Sequence, residues 1–101
     1  MAMKKFRDKD VPEVTRGVIV SNRLGMHARP NLLFVRTANR FKSIIFVEKD
    51  GEVVDAKSII GVSLLAAGPG SKLLIRARGV DAREAVGALV DLVSKRKFDE
   101  D

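Results

Sequence analysis

Two short runs rich in β-branched and aromatic residues, Ser43-Ile44-Ile45-Phe46-Val47-Glu48 and Glu52-Val53-Val54-Asp55, flank Lys49-Asp50-Gly51. Asp-Gly is a strong short-range hairpin signal, because both central positions of a tight hairpin turn need a left-handed backbone that Asp and Gly tolerate. Strands are therefore expected over 43–48 and 52–55, paired antiparallel, since parallel neighbours need a long crossover between them. The rest of the chain is punctuated to match. Residues 14–21 are rich in β-branched side chains and suit a strand, and the turn Pro69-Gly70 introduces a fourth strand over 71–78. Over 30–39 the spacing of Phe34, Val35 and Ala38 predicts a helix with those residues on its core face and Leu32 to one side. Ser58 is a good cap for a short helix ending near Gly68. Asp81 with Glu84 three residues on reads as a capping box opening a last helix, striped by Ala85, Val86, Leu89 and Val93. The order βαββαβα, joined by short loops, implies an α+β two-layer open-faced sandwich: a four-stranded antiparallel sheet with three helices on one face.

A chain of 101 residues supports one hydrophobic core and one domain. That domain is expected over 14–95. Residues 1–13 are dense in charge and read as a flexible extension, and 96–101 form a charged tail expected to fray. With no cysteine and one histidine, disulfides, thiolate chemistry and a metal centre are not expected, and nothing calls for a cofactor. The apolar runs are too short to span a membrane and no secretory signal stands at the start, so a cytoplasmic location is expected. The net charge of +6 points to an acidic partner or surface. A small basic nucleic-acid-binding module is the alternative from another class, and it predicts binding that falls steeply with salt. Against it, Trp and Tyr are absent, there is no aromatic stacking platform, and the positive charge is scattered.

The chemistry gathers at Leu24-Gly25-Met26-His27-Ala28-Arg29-Pro30, where the single histidine precedes a helix start. Proline is at home in the first helical turn, and the first N–H groups of a helix lack internal partners and carry the positive end of its dipole. They form an anion site, to which Arg29 adds a fork that grips phosphate oxygens. Positive surroundings disfavour an imidazolium, and a neutral imidazole beside an anion site is a nucleophile suited to phosphoryl transfer. The bland alternative is a surface histidine or a simple helix cap.

The stretch Val18-Ile19-Val20-Ser21-Asn22-Arg23-Leu24-Gly25-Met26-His27-Ala28-Arg29-Pro30 resembles the active-site signature of HPr, the histidine-containing phosphocarrier family of the bacterial phosphoenolpyruvate-dependent sugar phosphotransferase system. A second segment, Asp55-Ala56-Lys57-Ser58-Ile59-Ile60-Gly61-Val62 followed by Ala66-Ala67-Gly68-Pro69-Gly70-Ser71, is similar to the regulatory-serine segment of HPr proteins controlled by an HPr kinase/phosphorylase. The resemblance implies a stoichiometric carrier rather than an enzyme. His27 would accept a phosphoryl group on Nδ1 from phosphorylated enzyme I and pass it to EIIA components for sugar uptake, with Arg29 stabilising the phosphate. Ser58 would be the regulatory phosphorylation site, and Leu32, Ile59 and Ile60 would dock partners, at least one of the two isoleucines being free to turn into the core. A nitrogen-type regulatory carrier is the alternative within the family. Asn31 departs from the small residue, most often alanine, that the family places under the site.

Strand alternation adds an expectation of its own. If Val18, Val20, Ile45, Val47, Leu73 and Ile75 face the helices, then Ile19, Ile44, Phe46 and Leu74 share the open face. A monomer is expected, with two ways of covering that face: the N-terminal arm, which brings Met3, Phe6 and Val11, or a second copy of the chain in a dimer.

Overall fold

A computed structural model describes residues 11–100. In chain order it contains β1 (Glu13–Ile19), α1 (Ala28–Asn39), β2 (Ile44–Lys49), β3 (Glu52–Asp55), α2 (Ile59–Leu64), β4 (Lys72–Arg78), α3 (Ala82–Ser94) and a 3₁₀ turn at Lys97–Asp99. The four strands form one sheet in the order β1-β4-β2-β3, every neighbouring pair antiparallel. The expected architecture is the observed one. The β2–β3 hairpin closes through Asp50 and Gly51, both at positive φ (52° and 86°), as a tight hairpin turn demands.

Alternation places the core. Val18, Val20, Ile45, Val47, Leu73 and Ile75 are buried, and Phe34, Val35 and Ala38 of α1 join Ala85, Val86, Leu89 and Val93 of α3 over them. Ile19, Ile44 and Phe46 point to the open face, where Leu74 is half-buried. The register breaks that apolar set up with charge, since Phe46 stands opposite Arg76, Ile44 opposite Arg78 and Ile19 opposite Lys72. Of the arm proposed to cover this face, Met3 and Phe6 lie outside the described residues, while Val11 lies within them and is partly buried.

Three local readings are corrected. Asp81 occupies the N-cap of α3, but its side chain bonds none of that helix's N–H groups. Its carboxylate instead accepts from the backbone N–H groups of Lys42 and Ser43 (both 2.9 Å) and from the Ser43 hydroxyl, tying the loop before β2 to the start of α3. Those bonds, the Ser43 hydroxyl first, hold the Asp81 carboxyl below the usual carboxylate range. A capping side chain works from extended backbone, whereas Asp81 sits at φ −111°, ψ 28°. The second helix stops at Leu64 rather than near Gly68, with Ala66 taking the left-handed conformation at φ 48°. The close approach in this region is Gly25's: a Cβ there would lie 2.8 Å from the Gly68 Cα, whereas a Cβ on Gly68 itself would meet nothing within 4 Å.

As far as Glu100 the tail is folded onto the domain rather than frayed. Phe98 is fully buried against α3 and α1, and Arg96 grips Asp99 through two bonds of 3.0 and 2.7 Å. Lys97, Phe98 and Asp99 all adopt positive φ (48°, 59° and 59°). Such backbone is costly for residues other than glycine and persists only where the surroundings over-determine it, which the buried ring and the ion pair do here. A window dominated by charge hides a single aromatic anchor.

Candidate functional site

The loop from Asn22 to Met26 is held at both ends before it delivers His27. Asn22 donates through Nδ2 to the Gly25 carbonyl (2.8 Å), and the Gly25 N–H returns to the Asn22 carbonyl (3.2 Å). Gly25 sits at φ 73° against Gly68 and Pro69, a position strained for any side chain and closed to a Cβ by contacts of 2.8 Å. Met26 is buried and its N–H donates to the Ala67 carbonyl (2.8 Å). The two sequence motifs are thus stitched together at the loop.

His27 is the N-cap of α1, in extended backbone (φ −93°, ψ −160°), and its carbonyl accepts the first helical bond from Asn31 (2.9 Å). Its side chain caps nothing. Pro30 has no N–H, so the open donors of the first turn are those of Ala28 and Arg29, and neither meets an acceptor among the described residues. No acidic residue stands in that turn. The result is a helix start with open N–H donors and an imidazole at its lip.

The imidazole is met by the chain's other end. Glu100 Oε1 lies 3.2 Å from His27 Nε2 and accepts from Asn22 Nδ2 at 3.0 Å, while Oε2 lies 3.7 Å from Arg29 Nη1. Arg29 also donates to the Phe98 carbonyl (3.2 Å). The bond from His27 holds the Glu100 carboxyl below the usual carboxylate range, with help from Asn22 and from the positive charge of Arg29. Arg23, Leu24, His27 and Glu100 line a shallow open depression. Glu100 and Asn22 were missed by sequence reasoning, and the one signal for the tail was Phe98, a lone aromatic among charges.

The second predicted site is built differently. Ser58 caps α2, its Oγ accepting from the Gly61 N–H at 3.0 Å. Of the expected docking residues, Leu32 is exposed, and so are both Ile59 (42%) and Ile60 (71%). Neither isoleucine turns into the core, because so short a helix has one buried position, filled by Val62. Leu24 and Leu64, not singled out from sequence, are also exposed. Asn31 is buried; its Nδ2 reaches Ser63 Oγ on α2 at 3.5 Å and its Oδ1 has no partner among the described residues. The amide therefore spans the two site helices in place of the expected small residue.

Among the described residues no group of three or more His, Asp or Glu side chains could hold a metal ion, and no helix is long and apolar enough to cross a membrane.

Comparison with known proteins places these features in a family context. Residues 14–95 match the family model described as the PTS HPr component phosphorylation site. The HPr-like protein Crh of Halalkalibacterium halodurans is 48% identical over 82 residues, which span 81% of this chain and 98% of that protein. The crystal structure of phosphocarrier protein HPr from Bacillus anthracis aligns with a TM-score of 0.79 at 50% identity, covering 81% of this chain and 98% of the other. Crh of Bacillus subtilis, a catabolite repression protein crystallised as a domain-swapped dimer, aligns with a TM-score of 0.65 at 38% identity, covering 94% and 95% of the two chains.

Proposed function

This chain belongs to the HPr family of phosphocarrier proteins, and from that premise we propose that His27 is its phosphoacceptor, taking a phosphoryl group from phosphorylated enzyme I and handing it to EIIA components for sugar uptake. One observation carries the reading: the imidazole stands at the start of a helix whose open N–H groups and adjacent guanidinium have no acid of their own in the first turn. Transfer between imidazoles needs alignment and charge neutralisation rather than a strong base. The clamped loop supplies the alignment. The Ala28 and Arg29 N–H groups, the helix dipole and the Arg29 side chain supply positive charge where phosphoryl oxygens gather.

Ser58 is proposed as a regulatory phosphorylation site for an HPr kinase/phosphorylase. Its cap position supports this, because a phosphate there faces the same N–H groups that the hydroxyl now satisfies. The exposed Leu32, Ile59 and Ile60 are proposed as the docking patch shared by enzyme I and EIIA, where added charge on Ser58 lowers the rate of transfer to His27. Similarity to Crh, named for catabolite repression, supports a regulatory use of the chain alongside carriage.

The test is intact mass after incubation with phosphoenolpyruvate and a generic enzyme I. One added phosphoryl group is expected, labile in acid and absent from His27→Ala. An acid-stable adduct, or one that persists in that variant, overturns the assignment.

A further inference from the structure

The phosphocarrier reading leaves the end of the chain unused, yet the chain's last described residue sits on the imidazole. An ionised carboxylate has only acceptor sites, and the bonds to Glu100 keep it ionised at neutral pH. A bond of 3.2 Å between that carboxylate and His27 Nε2 therefore requires the proton of a neutral ring to be on Nε2. The lone pair is then on Nδ1, which makes no bond to the helix start, the one side-chain bond of His27 among the described residues being through Nε2. The carboxylate is also held in place. Asn22 Nδ2 donates to the same oxygen at 3.0 Å, Arg29 lies beside the other, the Glu100 N–H bonds the Lys97 carbonyl at 3.1 Å, and the buried Phe98 ring fixes the turn two residues earlier.

We infer that Glu100 is a positioning residue for His27: it holds the ring proton on Nε2 and fixes the ring so that Nδ1 presents its lone pair to the incoming phosphoryl group. The inference rests on the reading of His27 as phosphoacceptor. In the transfer, the Nδ1 lone pair forms the new N–P bond as the bond from phosphorus to the donor's phosphohistidine nitrogen breaks, and the donor ring keeps that electron pair. The accepting ring becomes an N-phosphoryl imidazolium whose proton stays on Nε2. Glu100 stabilises that developing positive charge through the bond it already makes. The logic is that of a carboxylate behind a catalytic imidazole, with phosphorus in place of a proton on the far nitrogen.

Nitrogen-15 NMR of the imidazole in the full chain, read at the alkaline plateau of its own shifts, tests the contact without any partner protein. In the wild type, Nδ1 should resonate as a lone-pair nitrogen and Nε2 as a protonated one. In Glu100→Ala both should move toward averaged values, and Glu100→Gln, which retains an acceptor oxygen, should restore the wild-type pattern. Phosphorylation by enzyme I should slow by about tenfold in Glu100→Ala, the scale of one lost bond to a charged group, with Glu100→Gln in between. Unchanged nitrogen shifts in Glu100→Ala, or faster phosphorylation, overturn the inference. If wild-type His27 takes no phosphoryl group, the functional reading fails, while the nitrogen shifts still decide whether Glu100 sets the ring.

Discussion

The two helix starts that carry the proposed phosphorylation sites solve the same problem in opposite ways. At α2 the Ser58 hydroxyl turns inward and satisfies a backbone donor of its own helix. At α1 the N-cap side chain leaves the helix alone, the Ala28 and Arg29 donors stay open, and the imidazole is held by a residue 73 positions away. The difference separates a stabilising cap from a site with unspent binding capacity. A hydroxyl engaged in its helix must give up a bond to be modified, and the phosphate that replaces it recovers that bond. An uncapped start keeps its donors for a ligand that comes and goes, and the cost is a less stable first turn.

The largest expected effect comes from cutting the tether that only the α1 start possesses. Phe98→Ala empties a fully buried site and should destabilise the fold by about 3–4 kcal/mol in denaturant titration. The same change unseats Glu100, so transfer to His27 should slow even at temperatures where the variant is folded. Phosphorylation at Ser58 by a kinase should proceed at the wild-type rate in that folded variant. Equal losses at both residues would show that the two starts are not independent.

Arg29→Ala probes the open start directly. Transition-state charge stabilisation by one such donor is worth about 10- to 100-fold in rate at a partly exposed site, and the loss should appear in transfer from enzyme I. Arg29 is largely exposed, and its contacts are one bond to the Phe98 carbonyl and a loose 3.7 Å ion pair with Glu100, so thermal stability should change little. An unchanged rate would remove Arg29 from the chemistry and leave the helix start to act alone.

At the capped start the expectation reverses. Ser58→Ala should cost about 1 kcal/mol of stability, the usual scale of a lost N-cap, while transfer to His27 stays as in the wild type. Ser58→Asp keeps a capping oxygen and adds charge beside Ile59 and Ile60, so it should retain stability and slow phosphorylation by enzyme I. A variant that is stable and transfers at the wild-type rate would disconnect the second start from the first.

These contrasts were unevenly legible in the sequence. Turns and alternation act within a few residues, so the Asp50-Gly51 hairpin, the inward set around Val47 and Ile75, and the Ser58 cap could be read from local pattern. Asp81 could not, because a capping template has no knowledge of the Lys42 and Ser43 donors that fold brings to the same carboxylate. Nor could the end of α2, where Gly68 looked like a terminator but the helix stops at Leu64, with Ala66 in the left-handed conformation. His27 and Arg29 were singled out from helix-start chemistry and family resemblance. Glu100 stayed hidden because its partnership with His27 depends on a left-handed turn anchored by one aromatic ring, and neither has a periodic signature.

The smallest expected effect belongs to the face remote from both starts. Phe46 is exposed there, between Arg76 on β4 and Asp55 on β3, with Leu74 and Val53 beside it in a small dent. Phe46→Ser removes one cross-strand partner and should cost about 0.5 kcal/mol, in the range of such pairs. Lys72, Arg76 and Arg78 run along the same face of β4, so a two-fold pairing centred on that strand brings like charges together and is disfavoured. The variant should therefore sediment as the wild type does and accept phosphoryl groups at the same rate. A change in mass by analytical ultracentrifugation would show that a second copy does cover the face despite its charges. A stability loss of 2 kcal/mol or more, above the roughly 1 kcal/mol ceiling of a cross-strand pair, would point instead to coverage by another segment of the chain, which deletion of residues 1–12 would then reproduce.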